Sequence, residues 1–219
     1  MRQFLTATLV LAALAGCSNG EKTARYLIDP PASAERLPNR LGTTELRDVS
    51  LPEYASAGEV SWQSADGAVR SNTRQLWADN PQRAFTQSLA RTISDISGAT
   101  VIAEPWPLAE PPRRTLEVRV EKALAQSNGT YRLSGRYFVG DSRSGGANQA
   151  RSFDIAVPMS GGEDASPAAV ARAQSQAIAQ LARQIAVLGG PGSALRTSSP
   201  PPAAMDDIFS QPLPPLEGS

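Results

Sequence analysis

The chain has 219 residues with 21 basic and 21 acidic side chains, so its balanced charge presents no basic surface for nucleic acid. It contains no histidine and one cysteine, which excludes histidine-based catalytic triads, histidine-ligated metals and internal disulfide bonds. The length suits one domain of about 150–170 residues with additional tails.

The N-terminus has the pattern of a signal peptide. Arg2 precedes an apolar run over residues 4–14, which is too short to cross a bilayer as a helix. The run leads into a motif that resembles the lipobox of bacterial lipoproteins: Leu14, Ala15, Gly16 and Cys17. The resemblance implies cleavage before Cys17, two acyl chains on its sulfur and usually a third on the new amino group. The alternative is an ordinary secretory signal followed by an unmodified cysteine.

Acylation would fix the compartment of the mature chain. Two or more acyl chains hold a protein stably on a bilayer, because each buried methylene contributes about 0.8 kcal/mol. Ser18 stands where an aspartate would retain the lipoprotein at the inner membrane, under the usual enterobacterial sorting rule. We therefore expect an outer-membrane protein that faces the periplasm, with no cofactor other than the lipid on Cys17. Residues 18–24 form a polar tether that extends to about 23 Å.

The first part of the mature chain predicts strands and a hairpin. A short strand is expected at residues 25–29, and a longer one at residues 40–51, which Pro52 ends in an extended turn. Residues 59–64 and 69–73 are predicted to pair as a hairpin, because the Asp-Gly between them can adopt the positive φ angles of a tight turn.

Two helices are predicted. The first runs from residue 81 to 97, with Asn80 as its N-cap, proline at its first position and Gly98 as the left-handed residue that ends it. The second begins with proline after the N-cap Ser166 and extends over residues 167–188. In both segments apolar residues recur at helical spacing.

Alternating segments predict the sheet. A short strand is expected at residues 100–103, followed by three strands at residues 115–124, 131–139 and 153–157 that form a meander. Their alternation of apolar and polar residues indicates a sheet with one solvated face. The predicted fold class is α+β, a mostly antiparallel sheet with two helices packed on one face.

These elements divide the chain into four parts. They are a signal peptide over residues 1–16, a lipidated tether over 17–24, a folded domain over 25–190 and a C-terminal tail over 191–219. The tail is rich in proline and is predicted to be disordered. Within it, residues 205–209 form an apolar cluster that is either a docking motif or an uninvolved segment.

Four short motifs follow the lipobox in an order that is typical of a known family. They are Tyr26-Leu27, Leu51-Pro52-Glu53-Tyr54, Trp77-Ala78 before a helix, and Pro105-Trp106 before an alternating strand. Over residues 25–188 the chain resembles the PqiC-like family of ABC-type transport auxiliary lipoproteins, encoded alongside transporters with mammalian-cell-entry (MCE) domains. It departs from the family pattern at residues 55–58 and 79–81, which bears on partner specificity more than on fold.

The resemblance implies a non-enzymatic subunit. It would dock onto a periplasmic MCE protein, help to move lipids or other hydrophobic molecules across the envelope, and so preserve outer-membrane integrity. Family members can form rings, so a homo-oligomer is expected. The energy would come from a separate ATPase, since the chain contains no phosphate-binding loop motif.

The candidate partner-binding residues are Pro52, Tyr54, Trp77, Pro105 and Trp106. For the tryptophans, burial in the core is the alternative to a place in an interface. No catalytic or metal-binding residue is assigned.

Two other functional classes remain open at this point. A periplasmic chaperone or assembly lipoprotein for outer-membrane components would share the anchor and the size. An enzyme could use serine, lysine or carboxylates, but a serine–lysine dyad is disfavoured because the only lysines are Lys22 in the tether and Lys122 on an alternating strand.

Overall fold

The computed structural model describes residues 23–143, 146–161 and 166–194. The lipobox with Cys17, most of the tether and the tail beyond residue 194, including its apolar cluster, lie outside the described residues.

The described residues form one mixed sheet and three helices. The nine strands are β1 (Ala24–Tyr26), β2 (Thr43–Leu46), β3 (Glu59–Gln63), β4 (Val69–Trp77), β5 (Thr100–Ala103), β6 (Arg114–Ala125), β7 (Thr130–Asp141), β8 (Gly146–Pro158) and β9 (Gly192–Ala194). The helices are α1 (Glu53–Ser56), α2 (Pro81–Ser97) and α3 (Pro167–Ala186).

Strand β6 is the centre of the sheet. One of its edges pairs antiparallel with β7 from end to end, and β7 pairs antiparallel with β8. Its other edge is shared by two branches that run parallel to it. Strand β2 pairs with its first residues, Arg114–Leu116, and β3 contacts its last residue, where Trp62 lies opposite Ala125. Strand β5 extends the first branch, while β4 and β1 extend the second.

Helices α2 and α3 pack against each other and cover one face of this sheet. The alternation along β6 fits this arrangement, since Leu116 and Val118 are fully buried while Arg119 on the opposite face is exposed. The predicted fold class is therefore confirmed. The long ladders are antiparallel, and the parallel pairs of the two branches make the sheet mixed.

The helix predictions are accurate. Helix α2 has the expected bounds: the Asn80 side chain accepts a hydrogen bond from the Arg83 N–H at 3.0 Å, and Gly98 ends it with φ of 66°. Helix α3 begins as predicted after Ser166 and ends at Ala186, two residues earlier than expected.

Two predictions for residues 40–56 are wrong. The strand expected over residues 40–51 is shorter in the structure, where β2 ends at Leu46. Beyond it, the Val49 N–H donates to Thr86 Oγ1 of α2 at 3.0 Å and not to a neighbouring strand. The extended turn expected after Pro52 is the helix α1. The carbonyl of Pro52 accepts hydrogen bonds from the Ala55 and Ser56 N–H groups, which closes a helical turn.

The folded region also extends past residue 190, where the disordered tail was expected to begin. Strand β9 pairs antiparallel with Gln149–Arg151 of β8 and forms an edge of the sheet. A strand of three small residues carries no periodic signal, so the sequence pattern does not reveal it.

A close approach between β6 and β7 requires glycine at position 135. The register of the two strands shifts between Val120 and Lys122, next to the pair Val120–Gly135. A Cβ atom added to Gly135 would lie 2.1 Å from the carbonyl oxygen of Arg119, where the backbone cannot move aside without breaking the ladder.

We expect Gly135→Ala to lower the free energy of unfolding by about 1–3 kcal/mol, since overpacking forces the backbone to shift. Gly58→Ala is the matched control, because a Cβ there meets no atom within 4 Å. Urea unfolding followed by circular dichroism measures both variants. Equal stability of Gly135→Ala and Gly58→Ala would contradict the close approach.

Candidate partner-binding surface

Strand β1 lies at one edge of the sheet and is fixed by pairing with the end of β4. Tyr26 is opposite Trp77 in this parallel pair, and the Ala78 N–H donates to the Tyr26 carbonyl at 2.8 Å. The Tyr26 hydroxyl donates to Gln75 Oε1 at 2.6 Å. The first residues after the tether are thereby locked to the sheet.

Residues 27–29, which we term the strap, leave β1 and contact both large helices. The Ser88 hydroxyl of α2 donates to the Ile28 carbonyl at 3.2 Å, and the Asp29 N–H donates to Ser175 Oγ of α3 at 3.0 Å. The Asp29 carboxylate also forms an ion pair with Arg91 of α2 at 2.9 Å. Ile28 is buried, so the strap is part of the domain.

A groove of about 600 Å³ lies between β1, the strap and α2. Tyr26, Leu27 and Trp77 give it an apolar wall, while Asp79 and the helix residues supply polar groups. Leu27 is 69% exposed, the highest value among the large hydrophobic side chains of the described residues. The exposed Leu27 extends the apolar wall of the groove, and exposed apolar surface that is contiguous in this way is a candidate for partner binding. We call this feature the β1 groove.

A second hollow of about 360 Å³ adjoins the β1 groove and shares Trp77 and Asp79 with it. Its other lining residues include Arg25 on β1 and Ser56 at the end of α1. The two hollows flank the start of α2, where the Asp79 carboxylate forms a hydrogen-bonded ion pair with Arg83. This bond, together with one from the Asn80 N–H at 2.7 Å, holds the pKa of Asp79 below its ordinary value of 3.8.

The structure separates the five predicted binding residues into two groups. Trp77 is a core residue with 6% exposure that borders both hollows. Pro52 and Tyr54 are half-buried on or next to α1, which packs against β3 and α2. The Tyr54 hydroxyl accepts a hydrogen bond from the Ala123 N–H at 3.4 Å, so this tyrosine also links α1 to β6.

Pro105 and Trp106 lie on the other branch, in the loop between β5 and β6. The Trp106 N–H donates to Glu45 Oε1 of β2 at 2.9 Å, and its indole N–H donates to the Glu110 carbonyl at 2.7 Å. Trp106 is half-buried, and Pro105 is exposed. The sequence order of the motifs therefore does not bring all five residues to one surface.

The sequence reasoning did not single out Leu27 as a binding residue. A signal was available, because in the expected strand at residues 25–29 Leu27 has the opposite parity to Tyr26 and Ile28. Two neighbours of one parity that pack inward leave an intervening leucine facing solvent.

Among the described residues, no group of side chains could hold a metal ion. None of the three helices has the length and hydropathy needed to cross a membrane.

Comparison with known proteins gives the same fold. A solved structure of an uncharacterized protein matches with a TM-score of 0.57 and 18% identity, over 72% of this chain and 99% of the other. A Xanthomonas campestris protein of the DUF330 family matches with a TM-score of 0.61 and 17% identity, over 75% of this chain and 93% of the other. No curated protein matches the sequence. The described domain thus shares its α+β fold with these two structures.

The family follows from the sequence profile. The profile of the ABC-type transport auxiliary lipoprotein component matches residues 26–186, from the end of β1 to the end of α3. The chain belongs to this family, and the predicted resemblance is confirmed. A role as an auxiliary component of an ABC-type transport system comes with that membership.

The ion pair at the start of α2 gives a pH prediction. Because the folded-state pKa of Asp79 is lowered, its contribution to stability is present above the ordinary value and is lost as the pH falls through the lowered one. We expect the Asp79 carboxyl to titrate below 3.8 in an NMR titration, and Arg83→Gln to raise this midpoint. Arg91→Gln, which removes the partner of Asp29, should leave it unchanged. A midpoint that does not respond to Arg83→Gln would contradict the assignment.

Proposed function

We propose that this protein is an outer-membrane lipoprotein that docks onto a periplasmic MCE-domain protein, as the auxiliary subunit of an ABC-type lipid transport system. The acyl chains on Cys17 hold it to the inner leaflet, and its role is to bind rather than to catalyse. The observation that carries the proposal is the family match over residues 26–186, together with the lipobox that precedes it.

The β1 groove supports a docking role. Its apolar wall, the exposed Leu27 and the neighbouring charges of Asp79 and Arg91 give the pattern of an interface centre with a polar rim. The groove begins directly after the tether, whose residues 18–24 extend to about 23 Å from the anchor. A partner bound there would be held close to the outer membrane.

Self-association into a ring is part of the proposal. Strands β1 and β9 form opposite ends of the strand order in the described sheet, so the two edges of one subunit are different surfaces. Contact between two different surfaces repeats head to tail and closes into a ring when the rotation between subunits allows it. A ring of anchored subunits would present one docking surface per subunit to the MCE protein.

The anchor is tested by fractionation. We expect Cys17→Ala to move the protein from the membrane to the soluble periplasmic fraction, because no acyl chain can be attached. Ser18→Asp is the paired variant, which should remain membrane-bound but move to the inner membrane under the sorting rule. Immunoblots of separated membranes measure both. Membrane association of Cys17→Ala would contradict the anchor.

Docking is tested by co-purification with a periplasmic MCE-domain protein. We expect Leu27→Glu to reduce recovery of the MCE protein by about tenfold, since a buried carboxylate at an interface costs well over 1 kcal/mol. Val69→Glu is the matched control, because Val69 is an exposed apolar residue of β4 with 46% exposure that does not line the groove. Both variants should retain the wild-type melting temperature.

Two results would contradict the proposal. Equal recovery of the MCE protein with Leu27→Glu and wild type would remove the β1 groove from the interface. Recovery of an outer-membrane assembly machine in place of an MCE protein would favour the chaperone class.

A further inference from the structure

Three arginines line a hollow of about 280 Å³ at the end of the sheet where β6 begins and β7 ends. They are Arg113, Arg114 and Arg143, and Asp141 is the other lining residue. Arg114 and Asp141 lie opposite each other in the β6–β7 ladder. We call this feature the arginine pocket.

The backbone holds the arginine pocket in place. The Arg113 N–H donates to the Thr43 carbonyl at 3.0 Å, and the Arg113 carbonyl accepts from the Ser142 N–H at 3.0 Å. The Arg143 N–H donates to Asp141 Oδ1 at 2.8 Å. The Arg114 guanidinium donates through Nη1 to the Leu41 carbonyl at 2.9 Å, which orients it. Arg114 is the first residue of β6, and Arg113 and Arg143 are therefore held by backbone bonds just outside β6 and β7.

The arginine pocket is lined by three guanidinium groups and one carboxylate, so its lining carries an excess of positive charge. Seven other arginines form ion pairs with carboxylates: Arg47, Arg70, Arg83, Arg91, Arg119, Arg132 and Arg183. None of the ion pairs among the described residues includes Arg113, Arg114 or Arg143. Beside them, the hydroxyl oxygen of Ser142 is buried without a hydrogen-bond partner in the described part of the chain. Convergent guanidinium groups around a hollow are the arrangement that binds compact anions.

The arginine pocket faces away from the anchored end. The tether enters at β1, on the branch where β3 meets Ala125, the last residue of β6. The pocket lies at the first residue of this twelve-residue strand, which is about 35 Å away. The arginine pocket and the end of the domain that the tether enters are therefore separate surfaces.

We propose that the arginine pocket binds a phosphate group, supplied by the headgroup of a lipid or by free phosphate. The planar guanidinium forks match phosphate oxygens, and a small hollow selects a compact anion over the extended acidic surface of a protein. The phosphate site is inferred from the residues that line the arginine pocket. Only its link to a transported lipid rests on the proposed function, and docking through the β1 groove can succeed or fail independently of it.

The test uses the full mature chain with Cys17→Ser, so that no acyl chain competes with the probe. Inorganic phosphate and monomeric dihexanoyl phosphatidic acid are titrated separately, with backbone amide shifts and isothermal calorimetry as readouts. We expect shifts at Arg113, Ser142 and Arg143. The double variant Arg113→Gln/Arg143→Gln should weaken binding by about tenfold or more, since two charged donors are lost. Both side chains are exposed, so we expect the double variant to fold. Circular dichroism is used to check its fold.

Arg172→Gln is the matched control, because it removes one exposed arginine of α3 and should leave the affinity unchanged. Tighter binding of phosphatidic acid than of phosphate identifies a lipid headgroup, and equal binding identifies free phosphate. Three results would overturn the proposal: no binding of either probe at millimolar concentration, equal binding by the double variant, or tighter binding of a polyglutamate peptide than of both phosphate probes. Recovery of the MCE protein with the double variant reports separately on docking.

Discussion

The fold depends on the way β6 divides one of its edges between two parallel branches while the other edge pairs with β7 along its full length. Each branch satisfies only part of the β6 backbone, so neither is a complete sheet neighbour. The gap between them is closed by Ser50, whose N–H donates to the Val118 carbonyl and whose carbonyl accepts from the Val120 N–H. Buried backbone groups must be paired. Ser50, together with the Tyr54 hydroxyl at the Ala123 N–H, pairs β6 backbone groups that lie between the two branches.

The two branches place the candidate binding surfaces in different parts of the domain. The β1 groove belongs to the branch of β3 and β4, next to the tether, whereas Trp106 and the arginine pocket belong to the end where β2 meets β6. Covering the inner face with α2 and α3 leaves the edges and ends of the sheet as the accessible binding surfaces. The β1 groove and the arginine pocket are thus separate surfaces of one domain.

Sequence reasoning recovered the elements whose signals are local. Helix α2 follows from Asn80, Pro81 and Gly98, because capping residues and helical spacing act within a few turns. The strands of the meander follow from alternation. The extent of β2, the helix α1 and the strand β9 did not follow, because they are decided by distant partners: Thr86 on α2 for the end of β2, and Gln149–Arg151 for β9.

The candidate binding surface likewise depends partly on local motifs and partly on contacts between distant residues. The motifs that carry the family resemblance identified the family, but they include Trp77 and Tyr54, whose contacts are with the core and with β6. A motif in the sequence does not show whether its residues are buried or exposed in the fold. The exposed Leu27 and the convergence of Arg113 with Arg143 depend on which strands become neighbours, and that information is absent from linear spacing.

The bonds of the strap connect the N-terminal segment to both large helices, which matters when that segment is pulled. Tension on the N-terminal segment would act first on the three residues of β1, which pair with β4 at the edge of the described sheet. The strap shares that tension with two helices, through Ser88, Arg91 and Ser175. A pull on the N-terminal segment would therefore be resisted by the two large helices as well as by the β1–β4 pairing.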